Sequence, residues 1–234
     1  MLPAGLYAIL DLPHPHGLDP GELAAAVIAE GEGAAIVQVR AKRWGTAERV
    51  AALRAIAPLC ARFGVPLIVN DDVEAALEGV EGVSGVHFGQ EDLGGEPAAR
   101  GGLLIEVRAR ARECGLPGFV IGLSTHSAAQ VQAAQGLAVD YLGYGPVFAT
   151  RSKERPEPEV GLEGLGVAAR LADVPVVAIG GLDGPRGVEA IAAGARAVAV
   201  IGALVAPTIA ATRERALVLS RMFVGAGAPR DMLE

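Results

Sequence analysis

Eight short apolar runs rich in β-branched residues recur along the chain, and each is followed by an Ala-rich stretch with helical spacing. The strand-like runs are Leu6 to Leu10, Ile36 to Arg40, Leu67 to Asn70, Val86 to Phe88, Phe119 to Leu123, Tyr141 to Gly145, Val176 to Ile179 and Ala197 to Ile201. The helical stretches are Leu23 to Glu30, Ala47 to Arg62, Val73 to Leu77, Ala98 to Cys114, Ala128 to Ala134, Leu162 to Leu171, Gly187 to Ala192 and Ala203 to Met222. Strand then helix, repeated in this way, predicts an α/β protein whose parallel strands close into a single-domain (β/α)8 barrel over residues 1–224, with a frayed tail at 225–234. An open, doubly wound sheet is the competing architecture. Most strands are apolar on both faces, as expected where one face fills a barrel and the other carries helices. Helix punctuation fits the same register: Thr46 stands as a cap before Ala47-Glu48-Arg49, Gly64 follows the last apolar position, and Pro66 opens the next strand.

Composition narrows what such a fold can do. With 234 residues, 51% of them hydrophobic, the chain can bury a large core. A net charge of -7 without a basic run gives nucleic acid no electrostatic track. The longest uncharged candidate for a membrane span, Ala197 to Thr212, falls short of roughly 18 to 20 apolar residues and contains Gly202 and Pro207. The first basic residue is Arg40, which gives the N-terminus no positive region of a secretory signal, so the chain is expected to be cytoplasmic. Cys60 and Cys114 lie in helical stretches without metal-ligand or redox spacing, and both read as small buried apolar residues. Apolar helix faces leave room for a homodimer.

Polar groups gather where the strand-like runs end. Residues i, i+2 and i+4 of a strand share a face, so Gln38, Arg40 and Lys42 line up at one rim. Such a row suits a polyanion, because Arg offers a planar fork of N–H groups and Lys a mobile charge; ordinary salt bridges at an exposed strand end would also explain it. Asp71 and Asp92 close the third and fourth runs, where they can share one magnesium ion beside a phosphorylated ligand or act as turn and cap residues. Ser124 follows the fifth run, and Ser127 is placed to cap the next helix. Thr150-Arg-Ser152-Lys153 begins a charged loop long enough to close over a ligand and bring Lys153 to a phosphate, or to remain merely solvated. Gly180-Gly181 and Ile201-Gly202, after the last two runs, offer backbone N–H groups to an anion. His87 reads equally as a hydrogen-bonded packing residue or a ligand contact, and is assigned no proton transfer. His14 and His16 read as structural or solvent-exposed.

Taken in order, Gln38-x-Arg40-x-Lys42, Asn70-Asp71, Gly85-Val-His-Phe-Gly-Gln-Glu-Asp92-Leu93, Gly122-x-Ser124-Thr-His126, Gly145-Pro-Val-Phe-x-Thr150-x-Ser152-Lys153 and Ala178-Ile-Gly-Gly181 resemble the thiamine-phosphate synthase family over roughly Leu6 to Leu204. The resemblance implies a TIM barrel transferase that joins hydroxymethylpyrimidine diphosphate to hydroxyethylthiazole phosphate with magnesium, so its partners are small phosphorylated molecules. It implies that Arg40, Lys42, Asn70 and Lys153 hold the diphosphate and that Asp71 and Asp92 ligate Mg2+. It implies that Gln38 and Ser124 contact the pyrimidine or its leaving group, with Tyr7 flanking the ring. Thr150, Ser152 and the backbone at Gly181, Ile201 and Gly202 would hold the thiazole phosphate. Three positions depart from the pattern: Ala149 where Pro is usual, Asp72 where a basic residue commonly follows Asn-Asp, and Ile201-Gly202 where a Val-Ser type pair is frequent. Asp72 would either strengthen ion binding or cap the next helix. Two rival readings share the pocket, a thiazole tautomerase-like relative and a non-catalytic binder of thiazole or thiamine phosphate. A sugar-phosphate decarboxylase or isomerase ranks behind them, because the chain shows no alternating Asp-Lys array.

Overall fold

A computed structural model describes residues 1–91, 93, 97–150 and 157–227, with only the backbone described at 97–99. Among these residues the strands are β1 (Gly5–Asp11), β2 (Ile36–Arg40), β3 (Leu67–Asn70), β4 (Val83–Phe88), β5 (Val120–Thr125), β6 (Tyr141–Tyr144), β7 (Val176–Ile179) and β8 (Ala197–Val200). The helices between and after them are α1 (Pro20–Ile28), α2 (Thr46–Phe63), α3 (Val73–Leu77), α4 (Pro97–Glu113), α5 (Ala128–Ala133), α6 (Gly161–Leu171), α7 (Gly184–Ala192) and α8 (Ile209–Gly227). Each strand pairs in parallel with the next, and β8 returns to β1 with Gly5 opposite Ala197 and Ala8 opposite Val200, so the sheet is a closed barrel. The open sheet is thereby excluded.

Alternation along the strands separates two apolar regions. On β1, Leu6, Ala8 and Leu10 point outward into the large cluster shared with the helices, whereas Tyr7 and Ile9 point inward. Leu2, Ile36, Ile68, Tyr141, Val177, Ala197 and Ala199 complete the inner cluster. Toward the C-terminal strand ends the same inward series turns polar, with Gln38 and Arg40 on β2, Asn70 on β3, His87 on β4 and Ser124 on β5.

The predicted elements are recovered with local shifts. Gly45, not Thr46, is the N-cap of α2; Glu48 Oε2 accepts from the Gly45 N–H at 2.8 Å. Ser127 caps α5 and Gly64 ends α2 with φ 65°, as the sequence predicts. The single helix expected over Ala203 to Met222 is instead a 3-10 turn at Gly202–Leu204 followed by α8. Pro207 accounts for the break, since it supplies no N–H and disfavours helical geometry at Ala206; α8 restarts with Thr208 Oγ1 accepting from the Ala211 N–H at 3.2 Å. Helix α8 runs to Gly227, and residues 228–234 of the expected tail lie outside the described residues. Cys60 is buried, and burial pushes its thiol up to about 12. Cys114 is exposed, contrary to expectation, because it stands beyond the last residue of α4 where the helix no longer covers it. Among the described residues no helix is long and apolar enough to cross a membrane.

Asp72 has an architectural task. Its Oδ1 accepts from the Ala75 N–H at 2.9 Å and caps α3, while Oδ2 accepts from Arg49 Nη1 at 2.6 Å and Thr46 Oγ1 at 2.9 Å on α2. Burial is the largest influence on this carboxyl and opposes its ionisation, but the three donors together hold its pKa below the ordinary 3.8. A depressed pKa means that the charge stabilises the fold above the ordinary value, and that this contribution is lost as pH falls through the lower folded value. Asp72→Asn should therefore cost about 1–2 kcal/mol near neutral pH in urea unfolding, with the gap to wild type closing below pH 3.8; a gap unchanged by pH would contradict this role.

Candidate active site

A cavity of about 470 Å³ opens at the C-terminal ends of the strands. Its wall includes Tyr7, Gln38, Arg40, Lys42, Asn70, Asp71, Ser124, Thr150, Gly181, Ile201 and Gly202, so eleven of the residues singled out from the sequence converge there. Asp92, Ser152 and Lys153 lie outside the described residues.

The rim near β2 and β3 carries the charge. Arg40 Nη1 lies 2.5 Å from Asp11 Oδ1, the last residue of β1 and directly beside Arg40 in the strand register. Lys42 is half-exposed, with Nζ 3.8 Å from Asp71 Oδ2. Asp71 adopts φ 64°, a left-handed conformation uncommon outside glycine though tolerated by Asp. Its carboxylate takes hydrogen bonds from Asn70 Nδ2 and, at 3.3 Å, from the Gly89 N–H. The Asp71 N–H in turn donates to the His87 carbonyl at 2.8 Å, fixing the turn that presents the carboxylate to the cavity. Among the described residues no three His, Cys, Asp or Glu side chains gather as a metal cluster.

Deeper in the barrel a chain of side-chain hydrogen bonds crosses five strands. Gln38 Nε2 donates to Tyr7 Oη at 2.8 Å, Tyr7 Oη is 2.8 Å from Tyr141 Oη, Tyr141 Oη is 2.9 Å from His87 Nδ1, and His87 Nε2 is 2.9 Å from Ser124 Oγ. Both ring nitrogens of His87 are thus engaged within the protein, which selects the packing role over a direct polar ligand contact. Its ring stacks on Tyr141 with centroids 5.4 Å apart. Gly122 makes room for this pair: a Cβ there would stand 2.2 Å from Tyr141 Cζ and 2.5 Å from His87 Nδ1. Burial raises the pKa of both Tyr7 and Tyr141, so both hydroxyls keep their protons.

The opposite rim is made of backbone. Gly180 and Gly181 have φ 97° and 64°, but their close neighbours are protein: a Cβ would lie 2.5 Å from Pro146 Cα at the first and 2.4 Å from the Ala149 carbonyl at the second. The glycine pair is therefore required by the crossing of the segment after β6, which is tied down by Val147 N–H to Ile179 O at 2.9 Å and Phe148 N–H to Gly180 O at 3.1 Å. Gly202, by contrast, has open space where a Cβ would stand.

Some residues of the site escape sequence reasoning. Asp11, which reaches the site as the ion-pair partner of Arg40, lies one position past the predicted end of the first run, as a charge on the inward series. Asp183 looks like a helix cap and is one, accepting from the Arg186 N–H at 3.0 Å, yet it also lines the cavity. Tyr141 opens its strand as an ordinary apolar residue would, and only the glycine opposite it in the barrel reveals its place.

Comparison with known proteins agrees with this geometry. Residues 6–204 match the thiamine monophosphate synthase family. A thiamine-phosphate synthase of Laribacter hongkongensis is 39% identical over 216 residues, covering 92% of this chain and 94% of the relative. One from Chloroflexus aurantiacus is 36% identical and covers 91% and 92%. A solved thiamine phosphate pyrophosphorylase from Pyrococcus furiosus superposes with a TM-score of 0.76 at 26% identity, covering 96% of this chain and 98% of that one.

The two glycines of the backbone rim should respond differently to substitution. Gly181→Ala, which meets the Ala149 carbonyl and keeps a positive φ, should lose about 1–3 kcal/mol of stability. Gly202→Ala should stay within about 0.5 kcal/mol of wild type. Urea midpoints measure both, and equal losses would contradict the crossing described here.

Proposed function

We propose a chemical reading whose premise is that this chain belongs to the thiamine monophosphate synthase family. Membership makes it a transferase of thiamine biosynthesis, thiamine-phosphate synthase, and the relatives that match it over nearly their whole length give no support to a tautomerase or a sensor. In this reading the substrates are hydroxymethylpyrimidine diphosphate and hydroxyethylthiazole phosphate, and the products are thiamine phosphate and diphosphate.

The observation that carries the reading is the convergence of Arg40, Lys42, Asn70 and Asp71 on one side of a single cavity, with Gln38 and Ser124 beneath them. Arg40 grips the diphosphate with its guanidinium, and Asp11 holds that group in place before the ligand arrives. Lys42 brings a half-exposed ammonium to the leaving group, and Asn70 adds an amide donor. Lys153 would add a further cation to this grip. Asp71 suits magnesium: its carboxylate offers hard oxygen donors on the cavity wall, and magnesium takes only one or two carboxylates when substrate phosphates and water complete its shell. Asp92 would be the second carboxylate. When bound, the ion neutralises part of the charge that develops on diphosphate as it leaves.

The chain's own groups supply the rest of the catalysis as fixed positive charge. As the C–O bond breaks, electrons pass to the diphosphate oxygen, and in this reading Arg40, Lys42 and Asn70, all on the same part of the cavity wall, stabilise that charge. The thiazole nitrogen then attacks the pyrimidine methylene carbon, a step that needs no general base. Thr150 and the backbone at Gly181, Ile201 and Gly202 hold the thiazole phosphate at another part of the same wall, Ser152 would share that role, and Tyr7 and Gln38 lie under the pyrimidine.

Diphosphate release measured with both substrates and Mg2+ tests this assignment. Wild-type protein should release diphosphate only when all three are present, and release with the pyrimidine substrate alone would contradict it. Arg40→Ala and Asp71→Asn should stay folded and lose about a hundredfold in kcat/KM, the effect of removing one aligned group worth about 3 kcal/mol; near-normal turnover in either variant would overturn its role.

A further inference from the structure

The hydrogen-bond chain from Gln38 to Ser124 has a direction. A phenol has one proton to give, so the role of each hydroxyl constrains the next. Tyr7 accepts from Gln38 Nε2 at 2.8 Å, and Tyr141 is the remaining partner of its hydroxyl among the described residues, so the direction in which every proton has an acceptor sends the Tyr7 proton to Tyr141. Tyr141, accepting from Tyr7, gives its own proton to His87 Nδ1 at 2.9 Å. Nδ1 is then an acceptor, which places the ring proton on Nε2, facing Ser124 Oγ at 2.9 Å. Ser124 accepts from His87 and is left with its hydroxyl proton to donate elsewhere. Its place on the cavity wall directs that proton to a bound molecule.

We propose that Tyr7, Tyr141 and His87 are positioning residues that fix the polarity of the site: the Gln38 amide at one end and the His87 tautomer at the other are set by one another, so Ser124 always meets the ligand as a hydrogen-bond donor. With one amide N–H committed to Tyr7, Gln38, on the cavity wall, has its carbonyl oxygen as the acceptor for a ligand. A ligand fitting both ends carries a donor, such as an exocyclic amine, at the Gln38 end and an acceptor, such as a ring nitrogen or an ester oxygen, at the Ser124 end. The relay is nearly dry, with Tyr7 1% exposed and Gln38 3% exposed. Reversing one member would therefore oppose two donors or two acceptors with no water to relieve them. Gly122 belongs to the same device, since any side chain there would displace Tyr141 and His87. The ligand pattern rests on the transferase reading; the tautomer does not.

The ring nitrogens of His87 report the direction without any substrate. In 15N-labelled protein, with the signal assigned by its loss in His87→Gln, His87 should be a neutral ring protonated at Nε2 and unprotonated at Nδ1. A proton on Nδ1, on both nitrogens, or shared between two tautomers would overturn the proposal, even in an enzyme that turns over normally. Conversely, a protein that releases no diphosphate but shows the Nε2–H form would sink the transferase reading and leave the relay standing.

Tyr141→Phe keeps the packed ring and removes only the link, so a role in packing alone would survive it. The variant should lose the single tautomer and about tenfold in kcat/KM, the worth of one hydrogen bond of roughly 1.4 kcal/mol. In a Ser124→Ala background the same substitution should cost less than about threefold, because the group it orients is gone. Equal costs in both backgrounds would contradict the relay.

Discussion

The site depends on the pairing of β8 with β1. Joining the first and last strands makes every strand end a neighbour of the same opening, and alternation then decides which side chains reach it. The inward series begins with apolar residues at the closed end, where Ile36, Ile68, Val177 and Ala197 fill the interior; it turns polar at or near the C-terminal ends of β1 to β5 and stays apolar on β7 and β8. Slipping one residue in any strand would exchange its inward and outward series, burying Arg40 or Asn70 against helices and aiming Val39 or Val69 at the cavity. The apolar packing outside the barrel thus holds the polar constellation inside it in register.

Closure also explains why the interior can hold polar groups at all. Two tyrosines, a histidine and a glutamine occupy space that a uniformly branched core would fill, and they fit because Gly122 contributes no side chain beside them. Each polar atom is matched by another: among the described residues no buried side-chain nitrogen or oxygen lacks a partner. The rim follows the same logic with charge. Asp11 and Asp71 stand beside Arg40 and Lys42, so the cationic groups are oriented before an anion displaces or joins their partners. Asp72, one residue from Asp71, faces the other way and joins α2 to α3.

The barrel was legible in the sequence because its period is set by burial: β2, β3 and β7 span the same residues in the structure as in the pattern of apolar runs. The polar strand ends were legible for the same reason, since a charged residue closing an apolar run has few other places to go. What the sequence hid were relations between elements. Asp72 reads equally as a charge that strengthens ion binding or as a cap until Arg49 and Thr46 are seen beside it. Gly181 offers a backbone N–H by sequence, but that the chain crossing also demands a glycine there shows only when the Ala149 carbonyl is seen in the space a Cβ would need. Tyr141 carries no local signal, because its partners Tyr7 and His87 lie 134 and 54 residues away in the chain. The shift in the start of α8 was readable from Pro207, and the exposure of Cys114 was not, because helical spacing says nothing about where a helix stops.

The central claim is that far-separated strand ends make one anion-holding mouth with a place for a divalent ion at Asp71. A crystal structure with diphosphate and manganese tests it directly, since manganese can substitute for magnesium and reveals itself by anomalous scattering. The account predicts the metal in contact with the Asp71 carboxylate and with diphosphate oxygens, and the diphosphate against Arg40 and Lys42. A metal remote from Asp71, or diphosphate seated away from the C-terminal ends of the strands, would contradict it.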